Sequence, residues 1–276
     1  MLSAPVAVPL PQAVDLDDDL KRRTPSGWPT QAVPPPLRVR LAGVDHVFAQ
    51  GRTAAGLHAC LWPISRLVVR YIEAHAAEFD GTAVLELGSG VGLAGVGAAA
   101  HGAAVVLTDK DVSLTRTNVD AATSAGLAGS AVVEELDWEQ PAAFLGRHAG
   151  QNWTWVLCSD CVYHQQGEFG HLTALAELLV SILSSRDASL APSSFVDDAP
   201  AAASPPPPRV LFAYQERDSV ARLHFWGALA ARGLVVEVVT LEALRAERKV
   251  DTTGLDGPMA LWWIRAGGLA PAEAVV

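Results

Sequence analysis

The pattern of apolar and polar positions changes character at residue 37. Residues 1–36 are proline-rich and carry an acidic run at 15–19. They are expected to form a flexible arm, because so little apolar surface cannot offset the entropy of ordering. From residue 37, LRVRL and HVFAQ alternate on either side of GVD. That is the period-two signature of a β-hairpin, with GVD as its turn. Over residues 62–77 the period becomes helical: Leu67, Val68, Tyr71 and Ile72 fall on one face, and Pro63 suits a first helical turn.

Alternating elements follow. Short apolar runs at 83–87, 103–109, 130–136, 154–160 and 209–214 predict five strands. Helical stretches at 91–102, 111–122, 169–185 and 218–232 lie between or after them, and glycines close several of these. Two more strands are expected at 234–240 and 259–266, separated by a charged segment and a turn-like DTTGLDG. Parallel strands need crossover helices, and these are present. The pattern therefore predicts an α/β fold. It is a Rossmann-like three-layer sandwich with a seven-stranded, mostly parallel sheet, the last strand antiparallel, preceded by an N-terminal β-hairpin. The domain is expected to span 37–266. A low-complexity, proline-rich insertion at 186–208 reads as a disordered surface segment, and 267–276 reads as a loose tail.

Composition narrows the functional classes. The formal net charge of -10 argues against a broad phosphate-binding face and suits a basic partner. No nucleic-acid partner is expected. Three cysteines are too few for a disulfide framework and fit a reducing compartment. No apolar run reaches the ~18 residues a membrane helix needs. The N-terminal stretch lacks the basic start of a signal peptide. The expectation is a monomeric cytoplasmic protein, with a nuclear location also open.

The candidate chemistry centres on Glu86-Leu87-Gly88-Ser89-Gly90-Val91-Gly92, between a predicted strand and a predicted helix. Glycines let the backbone turn sharply and approach a ligand. The helix start adds unpaired N–H donors. The dinucleotide fingerprint wants a third glycine where Leu93 stands, so this loop departs from it. Asp109 ends the next strand, where a carboxylate can accept from ribose hydroxyls. Asp137 and Trp138 follow the third strand, and Ser159, Asp160 and Tyr163 follow the fourth. Trp can cover an adenine face and Asp can accept from its amino group. All lie at carboxyl ends of strands, where open α/β sheets bind ligands. Each also has a structural reading: a tight turn for the glycines, a helix or turn cap for Asp109 and Asp160, core packing for Trp138 and Tyr163.

Together these residues resemble the seven-strand, S-adenosylmethionine-dependent methyltransferases, and within them family 16, the protein-lysine methyltransferase-like group. The resemblance rests on Trp62 in CLWPIS, Glu86 to Gly92, Asp109, the Asp137-Trp138 pair and the DxxY run from Asp160 to Tyr163. It implies S-adenosyl-L-methionine as cofactor and a lysine-bearing protein as substrate. It also implies roles. Glu86, Gly88, Ser89, Gly90 and Gly92 would border the methionine moiety, with Ser159 nearby. Asp109 would bind the ribose, Asp137 and Trp138 would frame the adenine, and Trp62 would close over the cofactor. Asp160 and Tyr163 would line the methyl-acceptor channel as its catalytic pair. The region around Trp62 and the 186–208 insertion depart from the family pattern and bear on acceptor specificity.

A lysine acceptor must lose a proton before it can attack, since its ordinary pKa is about 10.4. Desolvation lowers that value and a lone carboxylate raises it, so Asp160 is assigned to positioning. A small-molecule methyltransferase, a non-catalytic cofactor-binding module and a dinucleotide oxidoreductase are the competing readings. Cys158 and Cys161, though spaced as a half-site, have no second pair, so no metal or redox role is expected. His164 and His171 are expected to be structural or solvated.

Overall fold

The computed structural model describes residues 14–15, 35–51, 59–163, 168–184, 206–247, 249–253, 255 and 257–267. The expected arm, insertion and tail lie almost wholly outside the described residues, as does His164.

A small sheet comes first. Strand β2 (Leu37–Leu41) pairs antiparallel with β3 (Val44–Phe48), and the two residues of β1 (Val14–Asp15) add parallel to β2. The hairpin is as expected, but its turn is Ala42-Gly43 rather than GVD, with Val44 and Asp45 already in the strand. Ala42 and Gly43 have φ of 46° and 84°. Positive φ at both central residues matches the right-handed twist of the flanking strands, which GVD in the same place would not.

The main sheet has seven strands: β4 (Ala83–Leu87), β5 (Ala104–Asp109), β6 (Ser130–Glu135), β7 (Trp155–Ser159), β8 (Arg209–Gln215), β9 (Leu234–Thr240) and β10 (Met259–Ala266). Their order is β6-β5-β4-β7-β8-β10-β9. The final strand β10 inserts antiparallel between β8 and β9, and the pairings among β4 to β8 are parallel. The chain winds outward from β4 in one direction and from β7 in the other. A topological switch point therefore lies between these two central strands.

Helices cover both faces. On one lie α1 (Ile64–Ala74), α3 (Leu93–Ala100) and α4 (Ser113–Ala125), packed on Val84, Val105, Trp155, Leu211 and Leu261. On the other lie α5 (Ala142–Arg147), α6 (Gly170–Ser184) and α7 (Ser219–Ala230), packed on Leu85, Val156, Cys158, Phe212 and Trp262. Strand neighbours such as Val84 and Leu85, or Phe212 and Leu211, thus serve opposite cores, which is why these strands read as continuous apolar runs. Two short helices, α2 (Ala76–Phe79) and α8 (Leu241–Glu247), complete the set among the described residues.

Several local expectations need correction. Helix α1 begins at Ile64, so Trp62 precedes it, and Pro63 takes the cap position. The charged segment after β9 is helical, and α5 follows a Pro141 start that the apolar pattern did not single out. The Trp263 ring lies 5.6 Å from Tyr71 and 6.2 Å from Trp155, while Trp262 is buried in the opposite core.

Candidate active site at the carboxyl edge of the sheet

The glycine loop leaves β4 at the switch point. Gly88, Gly90 and Gly92 have φ of 70°, 54° and 87°, a region that side-chain-bearing residues rarely adopt. A Cβ on Gly88 would stand 2.7 Å from Cys161 Sγ and 3.0 Å from the Trp138 ring. Those two residues come from the exits of β7 and β6, so only a bare backbone lets the three segments meet.

The loop is braced from below. The Thr108 hydroxyl donates to the Glu86 carbonyl at 2.7 Å, and Ser89 N–H donates to the Thr108 carbonyl at 2.9 Å. Thr115 on α4 donates its hydroxyl to the Gly90 carbonyl at 2.6 Å. Asn118 donates to the carbonyls of Val91 and Ala49 and accepts from Ala49 N–H, tying loop, helix and hairpin together. Glu86 is buried under the loop, where its carboxylate accepts from Gly95 N–H at 2.9 Å. Burial pushes its pKa up to about 8, against the pull of that hydrogen bond.

Asp109, at the end of β5, turns toward the loop. One carboxylate oxygen accepts from Gly90 N–H at 2.8 Å, the other from Lys110 N–H at 2.7 Å. An ionised carboxylate oxygen can accept more than one hydrogen bond, so a group of this kind can serve backbone and ligand together. Asp137 accepts from Glu139 N–H and pairs with Lys110 Nζ at 2.7 Å, and this pairing holds its carboxyl below the ordinary range. Trp138 is half-buried against Gly88, and its indole N–H has no hydrogen-bond partner among the described residues.

The exit of β7 supplies the remaining expected residues. The Ser159 hydroxyl is 2.8 Å from that of Ser65 on α1. Asp160 has φ of 62°, and its N–H donates to the Ala213 carbonyl on β8 at 2.9 Å. Its side chain is only 2% exposed and pairs through Oδ2 with Arg217, beyond the end of β8, while Oδ1 has no hydrogen-bond partner among the described residues. Burial pushes the Asp160 carboxyl up, and the Arg217 guanidinium opposes that. The same guanidinium lies 4.6 Å over the Trp62 ring. The Tyr163 ring lies 4.9 Å from that of His171, tilted by 33°, and the Tyr163 backbone carbonyl accepts from the His171 ring nitrogen. Burial pushes its hydroxyl well above the ordinary value. Cys158 and Cys161 are free and buried; the Cys161 thiol donates to the Leu87 carbonyl.

The expected residues thus lie along one edge: Trp138 beside Gly88, Asp109 on Gly90, and Asp160 linked to Trp62 through Arg217; Cys161, for which no role was expected, also meets Gly88 there. Ser159 and Glu86 sit lower, engaged with α1 and α3. The sequence reading missed Arg217, Thr115 and Asn118. Arg217 follows the carboxyl end of β8, and that position was the available signal.

A family model described as lysine methyltransferase matches residues 45–191, more than half of the chain. The chain belongs to this lysine methyltransferase family. Curated relatives include protein N-lysine methyltransferase METTL21A of Mus musculus, 39% identical over 31% of this chain and 40% of that protein. EEF1A lysine methyltransferase 3 of Mus musculus is 32% identical over 39% of this chain and 45% of its own length. Calmodulin-lysine N-methyltransferase of Arabidopsis thaliana is 28% identical over 39% and 36%. The matched stretches span less than half of each of these relatives. Among solved structures, the T. thermophilus 16S rRNA N2 G1207 methyltransferase, solved with AdoMet and guanosine, shares the fold at a TM-score of 0.50. It is 16% identical over 86% of this chain and 52% of that one.

The cofactor expected from the resemblance, S-adenosyl-L-methionine, is the one that family membership supports. The residues present fit it. The glycine backbone leaves room that a Cβ at Gly88 would fill, and two buried polar atoms, Trp138 Nε1 and Asp160 Oδ1, have no hydrogen-bond partner among the described residues. Buried polar groups are rarely left so without a ligand or water to meet them.

Proposed function

We propose that this chain methylates lysine side chains of a protein substrate, using S-adenosyl-L-methionine. The observation that carries the reading is the meeting of four strand ends: the β4 glycine loop, Asp109 of β5, Trp138 after β6 and Asp160 after β7 lie together across the switch point. The names of the curated relatives and a net charge of -10, which suits a lysine-bearing partner, support the substrate class.

When bound, the cofactor supplies an electrophilic methyl carbon on a sulfonium. Gly88, Gly90 and Gly92 would hold it closely, Asp109 would accept from its ribose hydroxyls, and Trp138 with Asp137 would frame its base. Trp62 would lie over it from the segment before α1. Asp160 and Tyr163 would line the acceptor channel, with Asp160 orienting the amine and Tyr163 flanking its alkyl stem. Placement of this kind is the protein's share of the work, since the reactive group is the cofactor's.

Three buried cysteines outside any disulfide fit a reducing compartment, and we place the protein in the cytoplasm. No helix among the described residues is long and apolar enough to cross a membrane.

Calorimetry with S-adenosyl-L-methionine and, separately, NAD tests the cofactor. Radiolabelled methyl transfer into a cell extract, followed by hydrolysis and amino-acid analysis, tests the acceptor. Label recovered in methyl-lysine is the expected result. Binding of NAD alone, or label confined to small molecules, overturns the reading.

A further inference from the structure

A carboxylate set against a lysine acceptor, the place proposed above for Asp160, raises a difficulty: alone, it would hold the acceptor as an ammonium, which cannot attack. The structure gives Asp160 a counter-ion. Arg217 pairs with Oδ2, and its guanidinium is fixed from the other side by the Trp62 ring at 4.6 Å. Guanidinium stays protonated at any working pH and stacks on aromatic faces, so this is a permanent charge held in place. The other oxygen, Oδ1, is buried and has no hydrogen-bond partner among the described residues. Asp160 is also held in the left-handed region at φ 62°, anchored by its N–H on β8. Sparsely populated backbone conformations of this kind tend to gather at functional sites.

We propose that Arg217 cancels the charge of Asp160, so that Oδ1 receives an N–H from the acceptor amine in its neutral form. This rests on the lysine-acceptor reading above and adds to it a selectivity for protonation state and the residue that sets it. Arg217 is a positioning residue, acting through Asp160. The ammonium gives its proton to solvent on entry, because the desolvated channel offers it an ion pair of zero net charge instead of a lone anion.

The titratable and charged groups that face Asp160 are few. Cys161 and Tyr163 follow it in the chain, and both are held in their neutral forms by burial and by nearby negative charge, with the Cys158 thiol adding the largest push on Cys161. Asp109, at the end of β5, acts with Asp160 on these same two groups, and its carboxylate bonds two backbone N–H groups. Arg217 is the cation that acts on Asp160.

The test uses n-butylamine as a stand-in for the lysine stem, with binding to the full chain measured by ligand-detected NMR from pH 7 to pH 9.5. The wild type should bind more tightly as pH rises, about tenfold per unit below the amine's own pKa. Arg217→Met should bind butylammonium at pH 7 at least tenfold more tightly than the wild type, and its pH dependence should flatten. The double variant Asp160→Asn with Arg217→Met carries no charge at the site and should recover the wild-type slope. A merely structural Arg217 would not give that reversal. Arg217→Lys keeps the charge and should keep the slope, which preserves the test if the methionine variant fails to fold. A wild type that prefers butylammonium, or variants that all share one profile, overturns the inference. Methyl-lysine analysis, read separately, reports on the acceptor class itself.

Discussion

At the scale of single residues, glycines and carboxylates decide what this edge of the sheet can hold. Asp109 bonds Gly90 N–H and is the residue expected to meet the ribose. Asp109→Ala removes charge-assisted bonds worth ~1.5–3 kcal/mol each, so affinity for S-adenosyl-L-methionine should fall at least tenfold by calorimetry. Unchanged affinity would remove Asp109 from the cofactor. Asp160→Ala and Tyr163→Phe should instead lower turnover more than cofactor affinity. Gly95 inverts a common rule. Alanine normally improves a helix interior by up to ~1 kcal/mol over glycine. Here a Cβ would stand 2.4 Å from the Glu86 carboxylate and 2.5 Å from Leu107, so Gly95→Ala should lower the denaturation midpoint. Glu86 itself links stability to pH. Its folded pKa of about 8 lies above the ordinary 4.5, so between those values the native state binds more protons than the unfolded chain. Stability should therefore fall as pH rises from about 5 to 8, with a contribution on the order of a few kcal/mol. Glu86→Gln should flatten that slope in urea titrations; a slope identical to wild type would contradict the burial argument.

At the scale of elements, the ends matter more than the middles. Helix α7 starts at Asp218, whose carboxylate accepts from Val220 and Ala221 N–H at 3.0 Å each. Removing such a cap costs ~1 kcal/mol, so Asp218→Ala should lower stability by about that amount. Its cofactor affinity should match wild type, because the cap holds the start of α7 rather than the glycine loop. The period of the apolar pattern predicted the seven long strands and the main helices to within a few residues. The short helices α2, α5 and α8 were not expected. One or two turns carry too few apolar repeats to show a period, and they are helical because they pack against neighbours. The hairpin turn was misplaced by a similar logic: Ala42-Gly43 is weak turn chemistry beside GVD, and strand twist decided between them.

At the scale of the whole molecule, one side chain joins three parts that are distant in sequence. Asn118 on α4 bonds the glycine loop through the Val91 carbonyl and the hairpin through both backbone groups of Ala49. Asn118→Ala would leave these buried groups unpaired, at ~1–3 kcal/mol apiece. Hydrogen exchange should then rise in the hairpin and glycine loop together; faster exchange in the hairpin alone would show that the two are not coupled. The two cores meet across the sheet. Trp262 fills one, between Phe212 at 5.4 Å and Tyr214 at 4.6 Å, while Trp263 faces the other beside Tyr71 and Trp155. Adjacent tryptophans on one strand must point to opposite faces, which is why the pair could not share one environment.

The sequence alone determined the alternation of strands and helices, the glycine loop and the acids and aromatics at strand ends, because each of these is written in a local period or a short spacing. Tertiary structure decided the strand order, the brace from Thr115 and Asn118, and the placing of Arg217 between Asp160 and Trp62. Those three residues are separated by long stretches of chain, and no local pattern encodes their distance. Only the folding of β7 and β8 side by side, with α1 packed on the same sheet, brings them together.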